Sequence, residues 1–190
     1  MSPFRPDLVD VWVFRIRLRK IEILLMRRAQ GRILAGLWQG VSGSLEAGER
    51  ISEGALRELG EETAFGPDDI EAFYDMDLVN QFHEPSMDAV VTAAVFAVRV
   101  APDAEPRLSV EHDDSRWVAL GTAYVEVVWP GYRTALDRIR EDLSDPARAP
   151  WFELTFAGER ARDAPAGAAS DRSAAGGQRM PDPAEPGGAG

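Results

Sequence analysis

GSLEAGERISEGALRELGEETAF, Gly43–Phe65, is the stretch on which the reading of this chain turns. A glycine-rich loop runs into a pattern that predicts a helix over residues 51–63. At 100° per residue, Ile51, Ala55, Leu56 and Leu59 fill one arc, the face that packs on a sheet. Glu58, Glu61 and Glu62 fill the neighbouring arc. Like charges four apart on a helix repel by a few tenths of a kcal/mol. Gly54 and Gly60 each cost about 1 kcal/mol relative to alanine in a helix interior. The helix is therefore not built for its own stability, and tertiary packing must hold it. Gly54, one turn before Glu58, is expected to leave open space beside the carboxylates. Hard divalent cations prefer carboxylate oxygens and take substrate phosphates as further ligands. Carboxylates at i, i+3 and i+4 converge well enough to bind one. A solvated acidic face with Arg57 as an intrahelical partner has the same spacing, so the spacing alone does not choose.

Outward from this helix, LVDVWVFRI (Leu8–Ile16) and KIEILLMRR (Lys20–Arg28) read as strands. The segment AQGRILAGLWQ connects them to the helix region. Ile70–Asn80 and Asp88–Val100 are further strands, the second so uniformly apolar that it belongs at the centre of a sheet. Ser115–Leu120 is a short strand, and Tyr132–Leu143 a second helix entered through Trp129-Pro130-Gly131. Strands interleaved with two helices predict an α/β sandwich around a mixed sheet. One domain is expected over residues 1–157. After Phe156 large apolar residues almost vanish, and residues 158–190 are expected to be a disordered Ala/Gly/Pro-rich tail.

The bulk numbers narrow the chemistry. The 190 residues carry a formal charge of −11, which argues against general affinity for nucleic acid or anionic membrane. There is no cysteine and only two histidines, His83 and His112, so thiolate and histidine-built metal sites are disfavoured. Both histidines could hydrogen-bond substrate or serve as a base, but they read first as ordinary loop residues. The N-terminus lacks the layout of a signal peptide, and no apolar run is long enough to span a bilayer, so a soluble cytoplasmic protein is expected. An acidic protein that handles phosphates needs metal ions to neutralise both parties.

Gly43, five residues, Glu49, seven residues, Arg57-Glu58-Leu59-Gly60-Glu61-Glu62-Thr63-Ala64-Phe65 resembles the Nudix box, G-x5-E-x7-R-E-U-x-E-E-x-G-U. Every charged position matches. Ala64 stands where the box has its last glycine, in a left-handed turn that alanine enters at a cost of about 1 kcal/mol. That departure leaves Gly66 as the residue to which the turn would shift.

The resemblance implies an α/β/α sandwich and hydrolysis of a diphosphate bond in a small phosphorylated substrate, with Mg2+ or Mn2+ as cofactor. It implies that Glu58 and Glu62 bind the metal with Glu61 assisting. Glu49 and Arg57 would pair and support the loop, while Gly43 and Gly48 would let backbone approach phosphate. LLMRR, LWQGVSGSLEAGE, EHDDSRWVAL and WPGYRTAL are similar to stretches of bacterial dihydroneopterin triphosphate diphosphatases and their relatives. Matched to these, Glu111 is a further metal-binding or catalytic glutamate. The expected reaction is dihydroneopterin triphosphate to monophosphate and pyrophosphate. Other Nudix substrates, namely (d)NTPs, dinucleoside polyphosphates or ADP-ribose, are the alternatives. A non-catalytic binding module is disfavoured, because all the box carboxylates are present.

Four residues near the box loop complete the candidate site. Arg27 and Arg28 close a strand where a guanidinium could grip phosphate, or where it could simply be solvated. Trp38 could stack on a base or pterin ring or belong to the core. Ser42 could offer its hydroxyl or backbone to a phosphate, and Trp117 is assigned to the core.

Overall fold

Along LVDVWVF, Val9, Val11 and Val13 are as fully buried as Trp12 and Phe14. Alternate side chains point to opposite faces of a strand, so this one must be covered on both sides. It is β1 (Leu8–Arg17) of an eight-stranded sheet, in a computed structural model that describes residues 6–163. The other strands are β2 (Lys20–Arg28), β3 (Trp38–Gln39), β4 (Val41–Ser44), β5 (Ile70–Glu84), β6 (Ala89–Val100), β7 (His112–Ala119) and β8 (Glu153–Leu154). The main path runs β3-β2-β1-β6-β5-β8. β1 and β6 pair in parallel and the other pairs are antiparallel, which gives the expected mixed sheet.

Helix α1 (Ile51–Thr63) covers one face, where Ala55 and Leu59 meet Val9, Val11, Leu24, Phe96 and Val98. The opposite face, with Trp12, Phe14, Tyr74 and Val95, is covered by α2 (Leu120–Glu126) and α3 (Pro130–Arg138). α3 continues through a π-helical turn, Ile139–Leu143. The sandwich is therefore α/β/α. No helix among the described residues is long and apolar enough to cross a membrane.

A splay in the sheet positions the site. β1 and β2 pair only near their hairpin, at Phe14↔Ile23 through Arg17↔Lys20. Beyond it they separate, and the edges so exposed are taken by β4 on β1 and β3 on β2. Gly40 sits at the fork, where a Cβ would come within 2.9 Å of the Val11 carbonyl. The loop that follows β4 is thereby delivered to the flank of α1.

Three expectations need correction. α2 was not anticipated, because seven residues with Gly121 among them give too little helical periodicity. At the end of α1 the turn does not move to Gly66. Ala64 itself adopts φ 59° and ψ 17°, and its N–H donates to the Gly60 carbonyl at 2.9 Å. The folded segment also does not stop at residue 157. Thr155–Arg160 forms a turn, Arg160 bridges to Leu154, and its guanidinium reaches Asp75 at 2.8 Å. Phe156 packs on the core, and beyond it backbone pairing and an ion pair order residues 158–160 without a large apolar side chain, which composition does not reveal. The rest of the expected tail, residues 164–190, lies outside the described residues.

Candidate active site

Arg57 gathers the loop and the helix. Its Nε donates to Glu49 Oε1 at 2.8 Å, and its terminal nitrogens reach Glu49 Oε2, the Ser44 carbonyl, Glu58 Oε1 and Glu61 Oε2 at 2.9–3.2 Å. These contacts hold the guanidinium pKa further above its ordinary value, with the Glu49 hydrogen bond first among the causes. Gly54 does not leave open space as expected. A Cβ there would collide with the Leu45 side chain and the Glu49 carboxylate, so its hydrogen admits the loop to the helix. Gly43 does provide clearance. A Cβ there would overlap the Glu58 carboxyl group, so backbone and carboxylate lie directly against each other.

Glu58, Glu62 and Glu111 share one neighbourhood. Glu62 is 3% exposed, and its carboxyl pKa is pushed up to about 8 by burial first and then by the charges of Glu58 and Glu111. Arg28 and the Ser42 backbone oppose that shift. Its Oε2 is buried without a hydrogen-bond partner among the described residues. Burial also raises Glu58, against the pull of Arg57. Glu111 arrives from the loop before β7, which is tied to the end of α1 by Arg107 N–H to the Thr63 carbonyl and Ser109 N–H to the Glu62 carbonyl. Its carboxylate accepts from Arg28 at 3.3 Å. Glu61 stands apart, more than half exposed and held by Arg57.

As placed, no three His, Asp or Glu side chains among the described residues form a ready cage for a metal ion. Arg57 occupies the role of cation toward Glu58 and Glu61. The residues nonetheless fit a hard divalent cation. All the donors are oxygens, Glu62 Oε2 is a buried acceptor with no donor, and Gly43 opens the wall beside Glu58.

The remaining candidates divide. Arg28 faces the carboxylates, whereas Arg27 points away and pairs with Asp113 at 2.6 Å. The Trp38 ring carries Arg116 at 4.0 Å and Arg27 at 5.7 Å, so the protein's own guanidinium takes a stacking position. Ser42 is the register partner of Asp10 across β4 and β1. Asp10 was missed: its buried carboxylate accepts from Asn80 Nδ2 at 2.9 Å and from the Ser42 side chain. The available signal was a lone acid inside the apolar strand LVDVWVF. Tyr132 was also missed; its ring meets Trp12 edge-on with centroids 5.1 Å apart, and burial first, then the charge of Asp10, raises its pKa.

Comparison with known proteins decides the family. Residues 6–139 match the model of the NUDIX domain. The chain belongs to the Nudix family. The family generally uses divalent cations such as Mg2+. A curated relative named octanoyltransferase, from Myxococcus xanthus, is 36% identical over 132 residues, 68% of this chain. The Nudix chain spans only 35% of that relative's length, so the relative's name describes a much longer protein. Among solved structures, a Listeria monocytogenes protein assigned as a NUDIX hydrolase is 28% identical, with TM-score 0.61 over 72% of this chain and 93% of that one. The Escherichia coli dihydroneopterin triphosphate pyrophosphohydrolase has TM-score 0.58 over 70% of this chain and 94% of that one. At 20% identity this likeness is one of fold.

Proposed function

We propose that this Nudix hydrolase is a Mg2+-dependent pyrophosphohydrolase of a nucleoside-triphosphate-like substrate, with dihydroneopterin triphosphate the substrate put first. The observation that carries the metal reading is Glu62: a buried carboxylate crowded by Glu58 and Glu111, with one oxygen lacking any donor. Such a cluster is short of positive charge, and a divalent cation with a polyphosphate supplies and then balances it. Glu58, Glu62 and Glu111 would hold the cation, with Glu61 at the margin. When bound, it neutralises the phosphates and lowers the pKa of a coordinated water.

The chain's own residues do the rest. Arg57 and Glu49 fix the loop against α1, so that Gly43 presents backbone at the Glu58 carboxylate. Arg28, next to Glu111, grips a phosphate oxygen through its guanidinium. Glu111 takes the proton of the attacking water at its carboxylate. Its side chain is 39% exposed against 4% for Glu62, so it returns that proton to solvent more readily than Glu62 would. Water and the triphosphate then become the monophosphate and pyrophosphate. The subgroup reading rests on sequence stretches such as EHDDSRWVAL.

The test is Mg2+-dependent release of phosphate and pyrophosphate from dihydroneopterin triphosphate, (d)NTPs, diadenosine polyphosphates and ADP-ribose, beside Glu62→Gln. Pyrophosphate release fastest from dihydroneopterin triphosphate, lost by roughly 10²-fold or more in Glu62→Gln, is expected. Preference for another substrate discards the pterin assignment alone, and full activity of Glu62→Gln discards the metal assignment.

A further inference from the structure

His112 opens β7, where it is the register partner of Arg28, just before a bulge at Asp113 in β7. Its side chain is wholly buried, and neither ring nitrogen has a hydrogen-bond partner among the described residues. Buried polar groups are nearly always paired, so an imidazole with both nitrogens vacant calls for a partner. Nδ1 lies 3.8 Å from Glu62 Oε2, itself a buried oxygen without a donor. The two vacancies face each other about 1 Å beyond the length of an N–H···O⁻ hydrogen bond.

The supports on both sides are fixed by backbone. His112 N–H donates to the Ser109 carbonyl, and Ser109 N–H donates to the carbonyl of Glu62 itself. The histidine's loop is therefore bonded to the residue its ring faces. Arg28 and Glu111, two of the charged groups beside them, bond to each other, while Arg57 holds Glu58 and Arg27 holds Asp113.

We propose that His112 is a positioning residue for Glu62: its Nδ1–H donates to Oε2 of the ionised carboxylate and leaves the other oxygen to the cation. This rests on the metal reading above. A neutral donor suits the task better than a guanidinium. A neutral imidazole N–H fixes the carboxylate without cancelling its charge. Arg57, by contrast, competes with a cation wherever it pairs.

The experiment compares wild type, His112→Leu, His112→Asn and Glu62→Gln by Mn2+ titration calorimetry, thermal unfolding without metal, and steady-state kinetics. His112→Leu should unfold no earlier than wild type, since it removes a buried polar ring. It should bind Mn2+ roughly 10- to 100-fold more weakly and lose kcat more than it raises KM. His112→Asn, whose amide nitrogen falls where Nδ1 stood, should recover most of both. Wild-type Mn2+ affinity and kcat in His112→Leu would overturn the proposal. Equal Mn2+ binding by Glu62→Gln and wild type would remove the metal reading and this proposal together. Silence on every substrate leaves the Mn2+ comparison to decide. Should His112→Leu not fold, ring 15N resonances of the Mg2+-bound wild type decide instead: a neutral Nδ1–H tautomer supports the assignment, and Nε2–H overturns it.

Discussion

Glu62 binds a proton more tightly in the folded protein than in the unfolded chain, and that has a consequence for stability without metal. Its folded pKa is about 8, against an ordinary value of 4.5. Below about 4.5 both states carry the proton, so the neutral carboxyl contributes its full stability. Between 4.5 and 8 the unfolded chain ionises first, and stability declines as pH rises through that window. Urea unfolding in the presence of chelator should show this decline, and Glu62→Gln should flatten it. Added Mg2+ should restore wild-type stability most strongly near pH 8, because only the ionised carboxylate binds a cation. An unchanged slope in Glu62→Gln would show that the buried carboxyl is not its source. At this scale, what could be read from the sequence were residues whose roles follow from local spacing: Glu49 paired with Arg57, and Glu58 and Glu62 on one arc. Asp10, paired with Asn80 seventy positions away, and His112, facing Glu62 fifty positions back, depend on strand register that no local pattern encodes.

Among elements, α1 was legible to the residue because four signals agree: apolar periodicity, the charged arc, the loop before and the turn-forming Gly66-Pro67-Asp68-Asp69 after. Its ending was legible as a place but not as a conformation. Alanine at Ala64 accepts the left-handed geometry because its N–H caps Gly60 and Phe65 must turn into the core behind it. Ala64→Gly should therefore stabilise the protein by about 1 kcal/mol, since glycine enters that region without steric cost. Thermal unfolding should register this as a rise of roughly 2–4 °C for a domain of this size. A fall would mean that the glycine's added freedom in the unfolded chain outweighs the relieved strain. The strands were read with similar success where both faces are buried. β5 and β7 run past their expected ends because their outer residues are held by pairing with β6 and β2, in sequence too polar or too mixed to announce a strand.

For the molecule as a whole, the alternation of strands and helices was enough to give the layers, since a sheet with two buried faces needs helices on both. It was not enough to mark where the fold stops, because the final segment is held by few contacts and most of them are polar. Arg160 donates to the Trp151 and Phe152 carbonyls as well as to Asp75. Ala161 N–H donates to the Glu153 carbonyl. Gly158, at φ 74°, leaves no room for a Cβ against the Ser52 side chain at the start of α1, so the turn is seated on the helix that carries the site. Deleting residues 158–190 should then cost about 1–3 kcal/mol in urea unfolding, mostly through lost backbone pairing around β8. The Arg160–Asp75 pair is well over a third exposed on the arginine side, and screening limits it to at most about 1 kcal/mol of that loss. Deleting residues 164–190 removes none of these contacts and should leave the midpoint unchanged. Equal midpoints for the two truncations would show that the turn adds nothing and return the boundary to Ala157. A loss confined to the longer deletion, matched in part by Gly158→Ala, would place the end of the folded unit at the turn against α1.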